Sequence, residues 1–149
     1  MLTAARGRRG DGERASVLML MPAAVLIVLV LGAIAVDLTT IRLGQRELIA
    51  AAGDAANDAV TVGLDEGALR AGQGYRIDPA RAERAVLESL AAKGLLDELA
   101  EPPTVLVRGA DTVEVRLARR VPHLFARALP GAPDDQLVRG AVTAQVAQR

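Results

Sequence analysis

The stretch GERASVLMLMPAAVLIVLVLGAIAVDLTT, from Gly12 to Thr40, has no charged residue between Ala15 and Val36. Val17 to Val36 are 20 residues, and twelve of them are Leu, Ile or Val. A helix of that length is about 30 Å long, which is the thickness of the hydrocarbon core of a bilayer. The stretch therefore predicts a transmembrane helix over residues 15–36, with the lipid bilayer as its first partner.

The charges on either side of this helix predict its orientation. Before it, residues 1–14 carry four arginines against two carboxylates, whereas the segment after it begins with Asp37. Positive residues next to a membrane helix stay on the cytoplasmic side. We therefore expect a single-pass protein of the cell membrane, with residues 1–14 in the cytoplasm and residues 37–149 outside.

Two fates of the apolar helix are compatible with the sequence. Ala33-Ile34-Ala35 fits the small-x-small pattern of a signal peptidase site, so cleavage after Ala35 would release an exported binding domain. Against this, the apolar stretch reaches the upper length of a signal core, and a helical pattern continues beyond it. The retained anchor is the favoured interpretation.

The segment VDLTTIRLGQRELIAAAGDAANDAVTVGL continues the helix, which we predict over 37–62. Apolar residues recur there at three, four or seven positions: Ile41, Leu48, Ala52, Ala55, Ala59 and Val62. Small residues let another backbone approach closely, either a partner's or that of the chain's own domain. Alternatively, the alanines are there only as good helix formers. The candidate helix-packing contacts are Gly32, Ala33, Ala51, Ala52, Ala55, Ala56 and Ala59.

The rest of the chain predicts a second helix and a small sheet. A glycine-rich loop covers 63–74, and Asp78-Pro79 then opens a helix over 79–93. After Pro102-Pro103 the apolar period changes to two, which predicts strands at about 104–108, 112–118 and 137–146. We expect an α+β fold, in which the helices cover one face of a three-stranded antiparallel sheet.

Few residues in the chain suit catalysis, and we expect no enzyme. There is no cysteine, and His123 is the one histidine, expected to be ordinary and partly exposed. Ser16 and Ser89, the two serines, are not on turns of the kind a nucleophile needs. The acidic pairs Asp65-Glu66, Asp97-Glu98 and Asp134-Asp135 lack metal-ligand spacing, and Gly72-Gln73-Gly74 lacks the pattern of a dinucleotide turn. No cofactor, metal or small-molecule substrate is expected.

Nucleic acid is not expected as a partner either. The formal net charge is zero, and aromatic residues make up 1% of the chain, so the stacking surfaces that bind single strands are missing. One basic cluster is a candidate surface contact for anionic lipid or an acidic protein: Arg116, Arg119, Arg120 and Arg127, around Leu124, Phe125 and Leu129. The alternative is a solvated sheet edge that discourages strand pairing.

The order of these parts resembles an actinobacterial member of the TadE/TadG-like proteins of the Tad (Flp) pilus assembly and secretion system. Asp37, Arg42 and Asp54-Ala55-Ala56 match the recurring pattern after the apolar helix in that family. The stretch RVPHLFARALPG followed by VRGAVTAQV is similar to the strand, short helix and closing strand of its members. The resemblance extends over nearly the whole chain.

The resemblance implies a pseudopilin-like, non-enzymatic membrane component that acts through helix packing and protein contacts. Its partners would be other membrane proteins of pilus assembly or secretion, or further copies of itself. Processed members have a glycine before the cut and a glutamate five residues later; here Gly10 and Gly12 are followed at that distance by Ala15 and Val17. A retained assembly component is therefore expected rather than a processed filament subunit.

Overall fold

The computed structural model describes residues 10–72, 74–128 and 130–146, with side chains from residue 20 onward. The predicted α+β class is confirmed. The helices are α1 (Gly10–Val62), α2 (Glu66–Arg70) and α3 (Pro79–Ala92), with 3-10 turns η1 (Leu96–Glu98) and η2 (Ala126–Ala128). The strands are β1 (Thr104–Arg108), β2 (Thr112–Pro122) and β3 (Asp135–Gln145).

Helix α1 joins the apolar segment to the domain without a break. It has 53 residues, with Pro22 inside it, and is therefore about 80 Å long. Its N-terminal part is long and apolar enough to cross a membrane. Its C-terminal part belongs to the domain, where Leu48, Ala52 and Ala55 are at most 1% exposed.

The three strands form one antiparallel sheet in the order β1-β2-β3. Val115 pairs with Val105 on one side and with Val142 on the other, and these residues face α1 and α3. Leu117 pairs with Gly140, and a side chain at Gly140 would meet Ile49 of α1 at 3.2 Å. The missing side chain at Gly140 thus lets α1 lie close to β3.

The core lies between α1, α3 and the inner face of the sheet. Its largest fully buried side chains are Leu48, Leu90, Val86, Val113 and Val115. The alanines of α1 provide the flat surface against which these larger residues pack. Helix α3 is fixed at its start as predicted, because Asp78 Oδ1 accepts hydrogen bonds from the N–H groups of Ala80 and Arg81.

Several local expectations differ from the structure. Val62, predicted on the buried face, is 58% exposed, and Val60 is buried instead, because the buried positions of α1 continue from Ala56 to Ala59 and Val60, a helix face that does not include Val62. The predicted loop after α1 contains the short helix α2, capped by Asp65. Strand β2 continues to Pro122, four residues beyond the predicted end, because β3 pairs with it along its whole length.

Candidate membrane-proximal site

The first charged residue after the apolar stretch makes the most extensive polar contact with a distant part of the chain. Asp37 is only 6% exposed, and its carboxylate accepts hydrogen bonds from three successive backbone N–H groups of the segment after β2. The N–H of Leu124 lies 2.7 Å from Oδ1, and that of Ala126 lies 2.7 Å from Oδ2. The N–H of Phe125 lies 3.0 Å from Oδ1 and 3.3 Å from Oδ2.

The sequence explains why these N–H groups are available. Pro122 ends β2, and η2 begins four residues later, so the N–H groups at the start of this turn have no carbonyl partner within it. Successive N–H groups that point the same way form a cradle for an anion. The carboxylate of Asp37 fills that cradle and fixes the segment 123–128, called here the Phe125 loop, against α1.

The same contacts determine the charge state of Asp37. Burial opposes ionisation, but the N–H groups of Phe125, Ala126 and Leu124 together outweigh it, and nearby His123 adds to their effect. The pKa of the Asp37 carboxyl therefore lies below its ordinary value. The Asp37 carboxylate is charged and fully hydrogen-bonded, and it joins α1 to the segment that follows β2.

His123 is buried rather than partly exposed, which corrects the sequence-based expectation. It is 9% exposed, and its backbone N–H donates to the carbonyl of Asp134 at 2.9 Å. Its Nδ1 lies 4.0 Å from Oδ2 of Asp37 and has no hydrogen-bond partner among the described residues. His123 is buried because β2 ends directly before it and the hydrogen bonds to Asp37 hold the following residues against α1.

The structure places Ser89 and His123, the serine and the histidine considered above for catalysis, far apart. Ser89 donates its hydroxyl to Oδ2 of Asp58 at 2.7 Å, far along α1 from Asp37. The 21 residues between Asp37 and Asp58 correspond to about 30 Å of helix, so Ser89 and His123 lie at opposite ends of the domain. Among the side chains described from residue 20 onward, no three His, Asp or Glu residues group as metal ligands. Ser16 and Gln73, also considered above, lie outside the described side chains.

The predicted basic cluster is divided between the two faces of the sheet. Arg119 faces α1 and is a bridge, not a surface contact: it donates to Glu47, to Glu98 and to the carbonyl of Gly44. Its side chain is 13% exposed. The expectation failed because the period of two in β2 directs odd and even positions to opposite faces.

The other three arginines stay on the surface. Arg116 donates to Glu114 at 2.6 Å, and Arg120 donates to Asp135 at 2.7 Å, both on the outer face of the sheet. Arg127 is exposed in η2, next to the Phe125 loop's apolar residues, while Leu129 lies outside the described residues. Only Arg127 of the predicted set thus adjoins the site around Asp37.

The candidate packing residues also divide into two groups. Ala51, Ala52, Ala55, Ala56 and Ala59 are at most 4% exposed and pack inside the chain's own domain, so they are not a face for a partner. Gly32 is exposed, and a side chain there would meet nothing within 4 Å. Ala33 is half-buried beside the Phe125 loop. Gly32 and Ala33 remain the candidates within the apolar segment.

The residues that carry the family resemblance have defined places in this structure. Asp37 holds the Phe125 loop, Ala55 and Ala56 belong to the core, and Asp54 forms an ion pair with Lys93 of the turn after α3. Arg42 is exposed on α1. Comparisons of the chain with protein families, with curated proteins and with solved structures found no match.

Proposed function

We propose that this chain is a non-enzymatic, single-pass membrane component of a pilus-assembly or secretion system of the TadE/TadG-like type. One observation carries the proposal: a helix that exposes only apolar side chains over residues 20–36 runs unbroken into the core of a small α+β domain. From Leu20 to Val36 the large apolar residues are 43–68% exposed. Such a surface is unfavourable in water and is satisfied by lipid or by other membrane helices.

The orientation follows from the flanking charges. The arginines before Ala15 stay in the cytoplasm, and the domain from Asp37 onward lies outside the membrane. The membrane in question is the cell membrane. The order of charged N-terminus, apolar helix, long amphipathic helix and closing strands supports the pilus-assembly or secretion setting.

Retention of the helix is supported by contacts across the possible cleavage site. Residues before Ala35 line a groove whose other wall is the Phe125 loop, and the Thr39 hydroxyl donates to the carbonyl of Ala35 at 2.8 Å within an uninterrupted helix. Cleavage after Ala35 would remove one wall of that groove. The alternative function, an exported binding domain released there, is favoured only by the Ala33-Ile34-Ala35 pattern.

The mode of action is packing of membrane helices. Without a hydrophobic driving force in lipid, helices associate where small residues allow close approach. Gly32 provides such a position, because none of the described residues lies within 4 Å of a side chain placed there. The partners are other membrane proteins of the assembly system or a second copy.

Purification from the native membrane tests this function. The tagged full chain, extracted in mild detergent, should carry with it proteins identified by mass spectrometry as pilus-assembly or secretion components. Gly32→Leu should lose most of this association while the domain stays folded, because a Cβ at Gly32 meets none of the described residues within 4 Å. Ile34→Leu is the matched control and should retain it. Recovery of the wild-type chain alone would contradict the proposal.

A further inference from the structure

The Phe125 loop presents two large apolar side chains that the domain does not cover. Leu124 is 47% exposed and Phe125 is 50% exposed. Phe125 is one of two aromatic residues in the chain, with Tyr75. The backbone of the loop is nevertheless held firmly by Asp37, so the exposure is not that of a free segment.

The position of the loop along α1 is the decisive observation. Phe125 and Ala126 form one wall of an apolar groove of about 260 Å³. The other wall is α1, from Asp37 back to Leu29, through Ile34, Ala33 and Val30. Eight residues of helix correspond to about 12 Å. The groove therefore extends from the end of the apolar stretch well into it.

This geometry constrains where the loop lies when the apolar segment spans a bilayer. Because α1 is continuous, Leu29 to Ile34 then lie below the membrane surface on the outer side. Phe125 lines the same groove and cannot lie far above them. The loop cannot swing away without breaking the three hydrogen bonds to Asp37.

We infer that the Phe125 loop inserts into the outer leaflet of the bilayer beside the anchor, with lipid acyl chains in the groove. This inference rests on the proposed membrane anchor and adds a second point of attachment to it. The occupant is lipid because the groove is continuous with the lipid-facing surface of α1. Asp37 is the ionised residue that lines the groove, and its carboxylate already accepts hydrogen bonds from backbone N–H groups. Arg127, exposed in the same loop, suits the phosphates of the headgroups.

Two attachments give the domain a fixed orientation on the membrane. A single helix leaves the tilt of the domain relative to the bilayer free, whereas a loop inserted beside the helix restricts that tilt. The outer face of the sheet, with Arg116 and Arg120, then points in one direction relative to the bilayer.

Single-tryptophan variants test the inference directly, because the chain contains no tryptophan. Phe125→Trp, Leu31→Trp and Tyr75→Trp are made in the full chain and reconstituted into phosphatidylcholine–phosphatidylglycerol vesicles with brominated acyl chains. Leu31 reports on the anchor, and Tyr75, 45% exposed at the far end of the domain, is the matched aromatic control. Leu124→Trp is a second reporter on the loop should Phe125→Trp fail to fold.

The expected result is quenching of Phe125→Trp within about twofold of that of Leu31→Trp, with Tyr75→Trp unquenched. Quenching of Leu31→Trp without quenching of the loop reporters overturns the inference and leaves the anchor intact. A blue-shifted but unquenched Phe125→Trp means that protein, such as a second copy, covers the groove, which also overturns it. If Leu31→Trp is unquenched as well, the proposed anchor itself fails.

Discussion

At the scale of single residues, Asp37 is the contact on which the junction depends. Asp37→Asn keeps the size of the side chain but removes its charge, and it places an amide donor against N–H donors. We expect the amides of Leu124, Phe125 and Ala126 to exchange with solvent about tenfold faster or more. Hydrogen exchange of the full chain in detergent micelles measures this. Asp58→Asn, which affects an exposed contact with Ser89, is the control and should leave these amides unchanged.

Three carboxylates should make the fold sensitive to acid. Hydrogen bonds from Arg116 and Arg108 lower the pKa of Glu114, those from Gln145 and Thr112 lower the pKa of Asp111, and the backbone cradle lowers that of Asp37. A lowered pKa contributes stability that is fully present above the ordinary pKa and is lost as the pH falls through the lowered one.

The free energy of unfolding should therefore decrease below the ordinary pKa of Glu114, 4.5, and further below that of Asp37, 3.8. Thermal unfolding of the full chain across this range measures the decrease, and Glu114→Gln should make it shallower. A stability that rises on acidification would contradict the account of these three groups.

Two adjacent arginines provide a matched pair of predictions. Arg119 joins α1, η1 and β2 through three acceptors, whereas Arg120 pairs with Asp135 on the exposed face. Lysine keeps the charge but lacks the forked donors needed to reach several acceptors. We expect Arg119→Lys to destabilise the domain by about 1–2 kcal/mol and Arg120→Lys by less than about 0.5 kcal/mol. If thermal unfolding gave equal decreases in the free energy of unfolding for both variants, the bridging role of Arg119 would be contradicted.

At the scale of secondary-structure elements, the contact between α1 and the sheet requires glycine at one position and not at another. A side chain at Gly44 would lie 2.7 Å from a methyl group of Val121, which is buried and stiff. A side chain at Gly53 would meet Val142 at 3.9 Å, an ordinary contact.

Alanine at these two positions should therefore have opposite effects. Gly53→Ala should raise the free energy of unfolding by about 0.5–1 kcal/mol, because alanine is a better helix former than glycine. Gly44→Ala should lower the free energy of unfolding by about 1–2 kcal/mol, because the clash with Val121 outweighs that gain. Thermal unfolding of both variants in the same detergent measures the difference. Stabilisation by both would show that α1 lies further from β2 than described.

At the scale of the whole molecule, the architecture could be predicted from the sequence because its apolar residues recur with clear helical and strand periods. The change from a helical to a twofold pattern after Pro103 marks the sheet, and the charge-free run before Asp37 marks the apolar helix. The role of Asp37 could not be predicted, since its partners lie 87–89 residues away and are backbone groups. The burial of His123 and the bridge of Arg119 depend in the same way on how β2 meets α1.

Helix α1 relates these scales to the proposed function. Helix α1 contains the apolar segment and also forms one side of the domain core. A displacement of the anchor would therefore be transmitted to the sheet.

The retention of the apolar helix is the central claim, and one measurement tests it most directly. It is the intact mass of the native protein recovered from the membrane and from the secreted fraction of its own cells. We predict a membrane species that retains residues 15–36. A soluble species that begins at Val36 would contradict the account, because the apolar helix would then be only a signal.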